Sequence, residues 1–277
     1  MTTLFSQPKI DCHHHLFDPG HFPYAPDSAY NPAGHELATL AHYRAVMQAY
    51  GIRHSLIVGP TSGYNTDNRC LLAALAGGEG RHKGIAVVPF DSSSESLAQL
   101  QTQGVVGIAL NVAMLGVAPF LQLDRLMAQL AELGLYAQIQ VQDDQLPTLL
   151  PLLRRSRARL LFDHSGRPDV DAGLEQPAFQ ALLQLAEREH VYMKLSGLAK
   201  FSRQHYPFAD AQPYVQALLA AYGAEKCMWG SDWPFLRATE RMDMGTLLML
   251  CENLFPDAQT RQQILWHTPQ RLFGFTD

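Results

Sequence analysis

The sequence contains little cysteine, no long apolar run and no long run of basic residues, and each absence excludes a class of protein. Its four cysteines are Cys12, Cys70, Cys227 and Cys251. None of them forms a Cys-x-x-Cys pair, so we expect neither a zinc finger nor a thioredoxin-type site, and scattered thiols are typical of a reducing cytoplasm. No apolar stretch approaches the roughly 18 residues of a membrane-spanning helix, and residues 1–9 lack the pattern of a signal peptide.

The charge balance excludes another group of partners. The formal net charge is −5 over 277 residues, so we expect no binding to nucleic acid or to an anionic membrane surface. Hydrophobic residues make up 47% and charged residues 17%, which supplies a sizeable core and argues against disorder. We therefore expect a folded cytoplasmic protein without membrane contact, and the sequence leaves a homodimer open.

Eight β-rich runs alternate with longer amphipathic segments along the chain. The predicted strands are Lys9–His13, Ile52–Val58, Gly84–Pro89, Val105–Asn111, Leu135–Val141, Arg159–His164, Val191–Ser196 and Lys226–Ser231. Several are nearly continuous apolar runs, as in residues 85–88, which is typical of parallel strands covered on both faces.

The segments between these strands carry apolar residues at helical spacing. The clearest helices are predicted at Leu37–Tyr50, Leu121–Leu133, Pro177–His190 and Gln212–Tyr222. Gly51, Gly134 and Gly223 follow three of them as expected C-terminal caps. Eight β/α units predict an α/β fold, a single (β/α)8 TIM barrel domain over residues 1–277. An open doubly wound sheet is the weaker alternative, because no Gly-x-Gly-x-x-Gly follows the first strand.

A histidine-rich motif ends the first predicted strand. Residues 11–15 read Asp-Cys-His-His-His. Because a strand alternates its faces with period two, His13 and His15 are predicted on one face and His14 on the other. Two imidazoles on one face can bind a cation or hold a developing oxyanion. The irregular segment Phe17–Glu36 follows directly, where a barrel places its active-site loops.

Polar residues also end the sixth and eighth predicted strands. Residues 163–169 read Asp-His-Ser-Gly-Arg-Pro-Asp, and residues 229–234 read Trp-Gly-Ser-Asp-Trp-Pro. Asp232 lies between two tryptophans, where desolvation is expected to raise its pKa. Taken singly, Asp232 can equally be a turn residue and His164 a capping or core histidine. Because barrel strands converge at their carboxyl ends, we predict one site that contains His13, His15, His164 and Asp232.

These three motifs, in this order, resemble the amidohydrolase superfamily. The closer resemblance is to its 2-pyrone-4,6-dicarboxylate lactonase branch, which includes sugar lactonases, and Phe17-Asp18-Pro19 also looks like that branch. The similarity extends from Ile10 to about Phe273. It implies a TIM barrel of the metal-dependent-hydrolase type that opens a small-molecule lactone.

The resemblance also implies roles for the predicted site residues. Asp232 is implied as the general base that activates water and later protonates the leaving group. Polarisation of the carbonyl and stabilisation of the oxyanion fall to three histidines: His13, His15 and His164. A water nucleophile needs a base and the oxyanion needs donors or a cation, so the chemistry agrees with the residue types.

The expected metal content follows from the fifth strand. Related enzymes hold zinc partly with a histidine on this strand, but residues 136–140 here read Tyr-Ala-Gln-Ile-Gln. A binuclear site is therefore not expected. A single divalent ion such as zinc, held by His13, His15, His164 and Asp232, remains open. Our expectation is catalysis that requires no cofactor.

The expected substrate contacts are less tightly defined. In the pyrone-dicarboxylate enzymes a strand 4 arginine holds the substrate, and Ala109 occupies the matching position here. The basic candidates to replace it are Arg167, Lys200 and Arg203, each of which can equally be a surface charge. Polar contacts are expected from Tyr24, Thr61, Ser62 and Gln140, with Tyr64 as a further candidate. Lys194 and Ser196 alternate with apolar neighbours on strand 7, so both are predicted to face the barrel interior.

Two other functions stay open. One is a zinc-dependent decarboxylase of the same superfamily, which requires tightly bound zinc and is disfavoured by the missing strand 5 histidine. The other is a non-catalytic barrel, which has no reason to keep four convergent site residues.

Overall fold

Eight parallel strands form one sheet in which each strand pairs with the next along the chain. The computed structural model describes residues 4–276; the single-domain prediction and the signal-peptide pattern include residues 1–3 or 277, which lie outside that range. The strands are β1 Lys9–His14, β2 Ile52–Val58, β3 His82–Ala86, β4 Val105–Asn111, β5 Tyr136–Gln140, β6 Arg159–Phe162, β7 Val191–Lys194 and β8 Cys227–Met228.

Backbone hydrogen bonds between β1 and the segment that follows β8 nearly close the sheet. The amide of Cys12 donates to the carbonyl of Trp229 at 3.0 Å, and the amide of Asp232 donates to the carbonyl of His13 at 2.8 Å. The sheet is therefore a nearly closed barrel, and the predicted (β/α)8 architecture is confirmed. No helix within residues 4–276 is long and apolar enough to cross a lipid bilayer.

Helices surround the barrel. They are α1 Leu40–Tyr50, α2 Arg69–Ala76, α3 Ser94–Thr102, α4 Val112–Leu115, α5 Asp124–Leu133, α6 Gln145–Arg155, α7 Pro177–Leu185, α8 Gln212–Tyr222, α9 Met244–Leu254, α10 Ala258–Gln262 and α11 Thr268–Phe273. Thr39 caps α1 by accepting a hydrogen bond from the amide of His42. Gly51 ends the same helix with φ of 67°, a left-handed conformation that glycine adopts at little cost.

Several elements are shorter than the sequence pattern predicts. Strands β6, β7 and β8 end two or three residues before the predicted bounds, because the chain there leaves the ladder to form the loops of the site. His164 and Asp232 both have positive φ, at 50° and 61°. Such a conformation is uncommon for residues other than glycine and occurs where the surrounding structure enforces it.

Apolar side chains fill the barrel at the amino ends of its strands. Ile10, Leu56, Ile85 and Leu161 pack there with the C-terminal Phe273 in one buried cluster. A second and larger cluster lies between the strands and the helices. Because the amino end is filled with apolar groups, the polar interior is confined to the carboxyl end, where barrel enzymes place their sites.

Candidate active site

A cavity of about 550 Å³ opens at the carboxyl end of the barrel. Its floor includes His15, His164 and Asp232, and its walls come from the loops that follow the other strands. A cavity of this size suits a small organic molecule.

The three predicted histidines surround one oxygen of Asp232. Its Oδ1 lies 3.8 Å from Nε2 of His13, 3.7 Å from Nε2 of His15 and 3.8 Å from Nε2 of His164. The Nε2 atoms of His13 and His15 are 3.4 Å apart. The structure therefore brings all four predicted residues together.

A bulge in β1 presents the histidines to the site. Asp11 pairs with Ser55 and His14 with Ile57, so β1 advances three residues where β2 advances two. The extra residue lets His13 face the interior while Asp11 faces outward. His14 also faces outward and stacks on Tyr43, with ring centroids 3.6 Å apart. The predicted opposition of His13 and His14 is confirmed.

Asp11 ties this bulge to the loop that carries the predicted base. One carboxylate oxygen of Asp11 accepts hydrogen bonds from Tyr43 at 2.7 Å and from the hydroxyl of Ser231 at 2.5 Å. The other oxygen accepts from the amides of Ser231 and His13. Asp11 therefore holds His13 and the residue before Asp232 in register, a role that the sequence pattern did not indicate.

The expectation of a raised pKa at Asp232 is wrong. Burial does push this pKa upward, but Nζ of Lys200 lies 3.1 Å from Oδ2, and His164 lies nearby. The lowering effect of these neighbours on the pKa of Asp232 exceeds the raising effect of burial, so this pKa lies well below its usual range. Lys200 was predicted only as a substrate contact, and the motif around Asp232 did not indicate it as a neighbour because it belongs to a different loop.

Burial keeps the deeper histidines neutral at physiological pH. It lowers the pKa of His13 to about 4 and the pKa of His164 to about 3. The Nδ1 of His15 lies 2.8 Å from the carbonyl oxygen of Val58, which can only accept. Neutral His15 therefore carries its proton on Nδ1 and presents the Nε2 lone pair to the site.

A buried polar layer lies beneath the site. Lys194 is fully buried, and its Nζ lies 3.0 Å from Oδ1 of Asp163 and 2.5 Å from Oε1 of Gln138. Gln138 also donates to Oδ2 of Asp163 at 2.8 Å. Burial pushes the pKa of Asp163 upward, but Lys194 and His13 outweigh it and keep this pKa below its usual range. The predicted inward orientation of Lys194 is confirmed, and so is that of Ser196, which contacts Nδ1 of His164 at 3.2 Å.

Most of the predicted substrate contacts lie on the cavity wall. Those that line it are Thr61, Ser62, Gln140, Arg167, Lys200 and Arg203. Arg203 is mostly exposed and pairs with Asp171 at 3.4 Å, as a surface charge does. Arg167 is different, because no ion pair of its guanidinium occurs within residues 4–276 and its buried Nε has no hydrogen-bond partner there.

Tyr24 is not brought to the cavity, so its predicted contact with substrate is not supported. Its hydroxyl donates to the carbonyl of Pro32 at 2.7 Å, and its ring packs against Phe17 and Tyr64. The irregular segment folds back on itself and places Tyr24 behind the wall. Several further polar residues on the wall were not indicated by the motifs, among them Asn111, Gln142, His205 and Arg237. Asn111 ends β4, so its strand-end position was the available signal.

Three of the four central residues, His13, His15 and Asp232, lie close enough to one another to hold a single metal ion. Ligands of a tetrahedral zinc with bonds of about 2.0–2.1 Å lie roughly 3.3–3.5 Å apart. The four separations given above, from 3.4 to 3.8 Å, are slightly wider than this. Groups that can hold an ion are formed by His13, His15 and Asp232, and by His13, Asp163 and His164. On strand β5, Gln138 is engaged by Lys194 and Asp163, so it supplies no replacement for the missing histidine.

The fold and the site together define a hydrolase-type TIM barrel with a histidine and aspartate centre. The chain belongs to the amidohydrolase family, whose sequence model matches residues 10–275. The resemblance indicated by the three motifs is therefore confirmed.

Three similar proteins illustrate the relationship. The chain is 32% identical to a 4-sulfomuconolactone hydrolase of Rhizobium radiobacter, over 98% of this chain and 92% of that protein. It is 27% identical to a 2-pyrone-4,6-dicarboxylate hydrolase of Comamonas testosteroni, over 95% and 89%. A Pseudomonas putida structure, provisionally assigned as a 2-pyrone-4,6-dicarboxylic acid hydrolase, has a TM-score of 0.87 at 33% identity and full coverage of both chains. Two decarboxylase structures are 15% and 12% identical and show the fold alone.

Proposed function

We propose that this chain hydrolyses a lactone of a small carboxylic or sugar acid, with Asp232 as the base for water. The observation that carries the proposal is the position of Asp232 Oδ1, which faces three imidazole nitrogens at 3.7–3.8 Å on the floor of a cavity. The similarity to a 2-pyrone-4,6-dicarboxylate hydrolase and a 4-sulfomuconolactone hydrolase supports the cyclic ester as the substrate class, since pyrones and muconolactones are both cyclic esters.

Asp232 suits both proton transfers of this reaction. Its low pKa keeps it ionised at neutral pH, so it can accept a proton as water attacks the carbonyl. A carboxylate of low pKa is a weak base but a strong acid once protonated. It therefore delivers the proton readily to the basic ring oxygen that leaves. Lys200 holds Oδ2, which directs Oδ1 toward the histidines.

The histidines divide the remaining tasks. Because Nδ1 of His15 donates to the carbonyl of Val58, the Nε2 lone pair of the neutral imidazole can accept a hydrogen bond from the attacking water. The hydroxyl of Ser196 can donate to Nδ1 of His164, which leaves the Nε2 proton of His164 available for the oxyanion. Donors aimed at the developing oxyanion are commonly the largest single contribution to such reactions.

The cavity favours a lactone with fewer acidic groups than 2-pyrone-4,6-dicarboxylate. Ala109 lies on the wall and supplies no charge. A buried carboxylate without a partner costs a few kcal/mol, on the order of a lost charged hydrogen bond. Arg167, whose guanidinium lacks an ion pair within the described chain, is placed to hold one carboxylate or similar anion.

The same residues can hold one divalent ion, and our proposal does not depend on it. Bound by His13, His15, His164 and Asp232, such an ion supplies Lewis-acid polarisation of a carbonyl or a water molecule. Without it, Lys200 keeps Asp232 ionised and Lys194 places a second cation beneath the site. We therefore propose that hydrolysis requires no cofactor.

A panel of lactones tests the function. Neutral sugar lactones, a monocarboxylate muconolactone and the pyrone dicarboxylate are assayed with a pH indicator, using the wild type and the Asp232→Asn variant. We expect Asp232-dependent acid release from at least one lactone. Activity that is equal in both proteins, or release of carbon dioxide from aromatic carboxylates in place of lactone opening, contradicts the proposal.

A further inference from the structure

We propose that Lys194 is a positioning residue that holds neutral His13 with its proton on Nε2. His13 then presents a hydrogen-bond donor to the site instead of a lone pair; this donor contacts Nε2 of His15 in the free protein and is available to the oxyanion once the attacking water occupies the lone pair of His15. This inference rests on the proposed lactone hydrolysis only for its catalytic consequence, because the tautomer of His13 is a property of the protein alone.

The first argument is the match between donors and acceptors at Lys194. Its ammonium group has three protons and no acceptor. Within residues 4–276 three acceptor atoms surround it: Oδ1 of Asp163 at 3.0 Å, Oε1 of Gln138 at 2.5 Å and Nδ1 of His13 at 3.3 Å. Because Lys194 is fully buried, each unpaired proton is costly. All three are satisfied only when Nδ1 of His13 accepts, which places the single proton of His13 on Nε2.

The second argument comes from the opposite side of His13. The carbonyl of Val58 requires a proton on Nδ1 of His15, so in the neutral imidazole Nε2 of His15 is an acceptor. It lies 3.4 Å from Nε2 of His13. A hydrogen bond between these nitrogens requires the proton on His13 Nε2. Both neighbours of His13 therefore select the same tautomer, and donation runs from Lys194 through His13 and His15 to Val58.

The other tautomer of His13, with its proton on Nδ1, suits metal binding. With its proton on Nδ1, His13 donates to Oδ1 of Asp163 at 3.2 Å. Two lone pairs, on His13 and His15, then face each other across 3.4 Å. This arrangement is repulsive unless a cation lies between them, and it sets a proton of Lys194 against the Nδ1 proton. Lys194 therefore favours the donor form of His13, and Asp163 favours the form that ligates metal.

Nitrogen NMR of protein labelled with ¹⁵N-histidine tests the assignment directly. The two ring nitrogens of a neutral imidazole have well-separated chemical shifts when one is protonated and the other is bare. The His13 resonances are identified by their loss in the His13→Gln variant. In metal-free wild type we expect the proton on Nε2. A proton on Nδ1 in the wild type overturns the proposal.

Two variants that break the same buried ion pair are expected to act in opposite directions. In Lys194→Met the donor to Nδ1 is lost, and His13 is expected to move its proton to Nδ1 and donate to Asp163. In Asp163→Asn the competing carboxylate is lost, and His13 keeps its proton on Nε2. Because both changes disrupt one pair, loss of stability alone cannot produce opposite tautomers. If His13 keeps its Nε2 proton in folded Lys194→Met, the proposal is wrong.

Zinc affinity and kinetics complete the test. By titration calorimetry with zinc alone, we expect at least tenfold tighter binding in Lys194→Met and weaker binding in Asp163→Asn. On the best lactone, chelated Lys194→Met is expected to lose at least tenfold in kcat with a smaller change in KM. If the single variants do not fold, the same measurements are made on the Lys194→Met, Asp163→Asn double variant. An unchanged tautomer refutes the role of Lys194, whereas a shifted tautomer with no lactone turnover in any protein refutes only the proposed function.

Discussion

Nζ of Lys200 lies 3.1 Å from Oδ2 of Asp232 and also donates to the carbonyl of Leu236 at 2.8 Å. The lysine therefore occupies one oxygen of the carboxylate while the other faces the histidines. This contact explains why a carboxylate between two tryptophans has a lowered pKa. It also links two loops that are distant in sequence, after β7 and after β8.

Removing Lys200 is expected to change the pH dependence of catalysis. In Lys200→Met, the neighbour that most lowers the pKa of Asp232 is lost, so this pKa rises. Ionised Asp232 is the active form, and the acid limb of the kcat/KM profile should move to higher pH. Lys200→Arg should shift the acid limb less than Lys200→Met does, and Lys83→Met on β3 should leave the profile unchanged. An acid limb that stays in place in Lys200→Met means that another group controls it.

Asp232→Asn is expected to reduce turnover by about 10²–10⁴-fold, the usual contribution of a general base. The amide cannot accept the proton of water, but its similar shape should leave the barrel folded. Circular dichroism and the urea midpoint check the fold, and the exposed Asp91→Asn is the matched control. Near-full activity in Asp232→Asn would assign the base to another residue.

Stability is expected to fall as the pH drops below about 6.5. The pKa of His13 is about 4 and that of His164 about 3 in the folded protein, both below the usual histidine pKa of about 6.5. Between pH 6.5 and the lowered pKa of each histidine, the unfolded chain binds more protons than the folded protein. Protonation therefore favours unfolding, by on the order of a few kcal/mol per histidine. Urea unfolding at pH 7, 5.5 and 4.5 measures the slope. His164→Gln should flatten it and the exposed His190→Gln should not; a slope unchanged by His164→Gln disproves the assignment.

Chelation is expected to leave most of the lactone activity in place. Two cations of the chain, Lys200 and Lys194, already keep the carboxylates of Asp232 and Asp163 ionised. Dialysis against a strong chelator, followed by metal analysis and assay, measures the effect. Full loss of activity that is restored by added zinc shows instead that the quartet acts as a ligand shell.

Arg167→Met is expected to lower kcat/KM for acidic lactones and to spare neutral ones. A charged hydrogen-bond pair of about 2–3 kcal/mol corresponds to a factor of roughly 30–150. The more exposed Arg203→Met is the matched control and should lose little. The measurement compares a muconolactone with a neutral sugar lactone. Equal losses on both substrates, or a wild-type preference for the pyrone dicarboxylate, would refute the assigned specificity.

The sequence by itself determined the barrel and the identity of the central quartet. Apolar strand runs alternate with amphipathic helices, and this periodicity is a local property that can be read along the chain. The carboxyl ends of parallel strands must meet at one end of a barrel. His13, His15, His164 and Asp232 could therefore be assigned to one site without any coordinates.

Tertiary structure alone decided how that site is charged. The low pKa of Asp232 depends on Lys200, and the buried pair of Lys194 and Asp163 depends on the register of neighbouring strands. The position of Tyr24 behind the cavity wall depends on how an irregular loop folds back. The interaction energy between groups from distant elements decreases over a few ångströms, and the spacing of residues along the chain does not determine those distances. The sequence can therefore predict which residues meet, and only the folded structure shows which atoms touch and what charge each group carries.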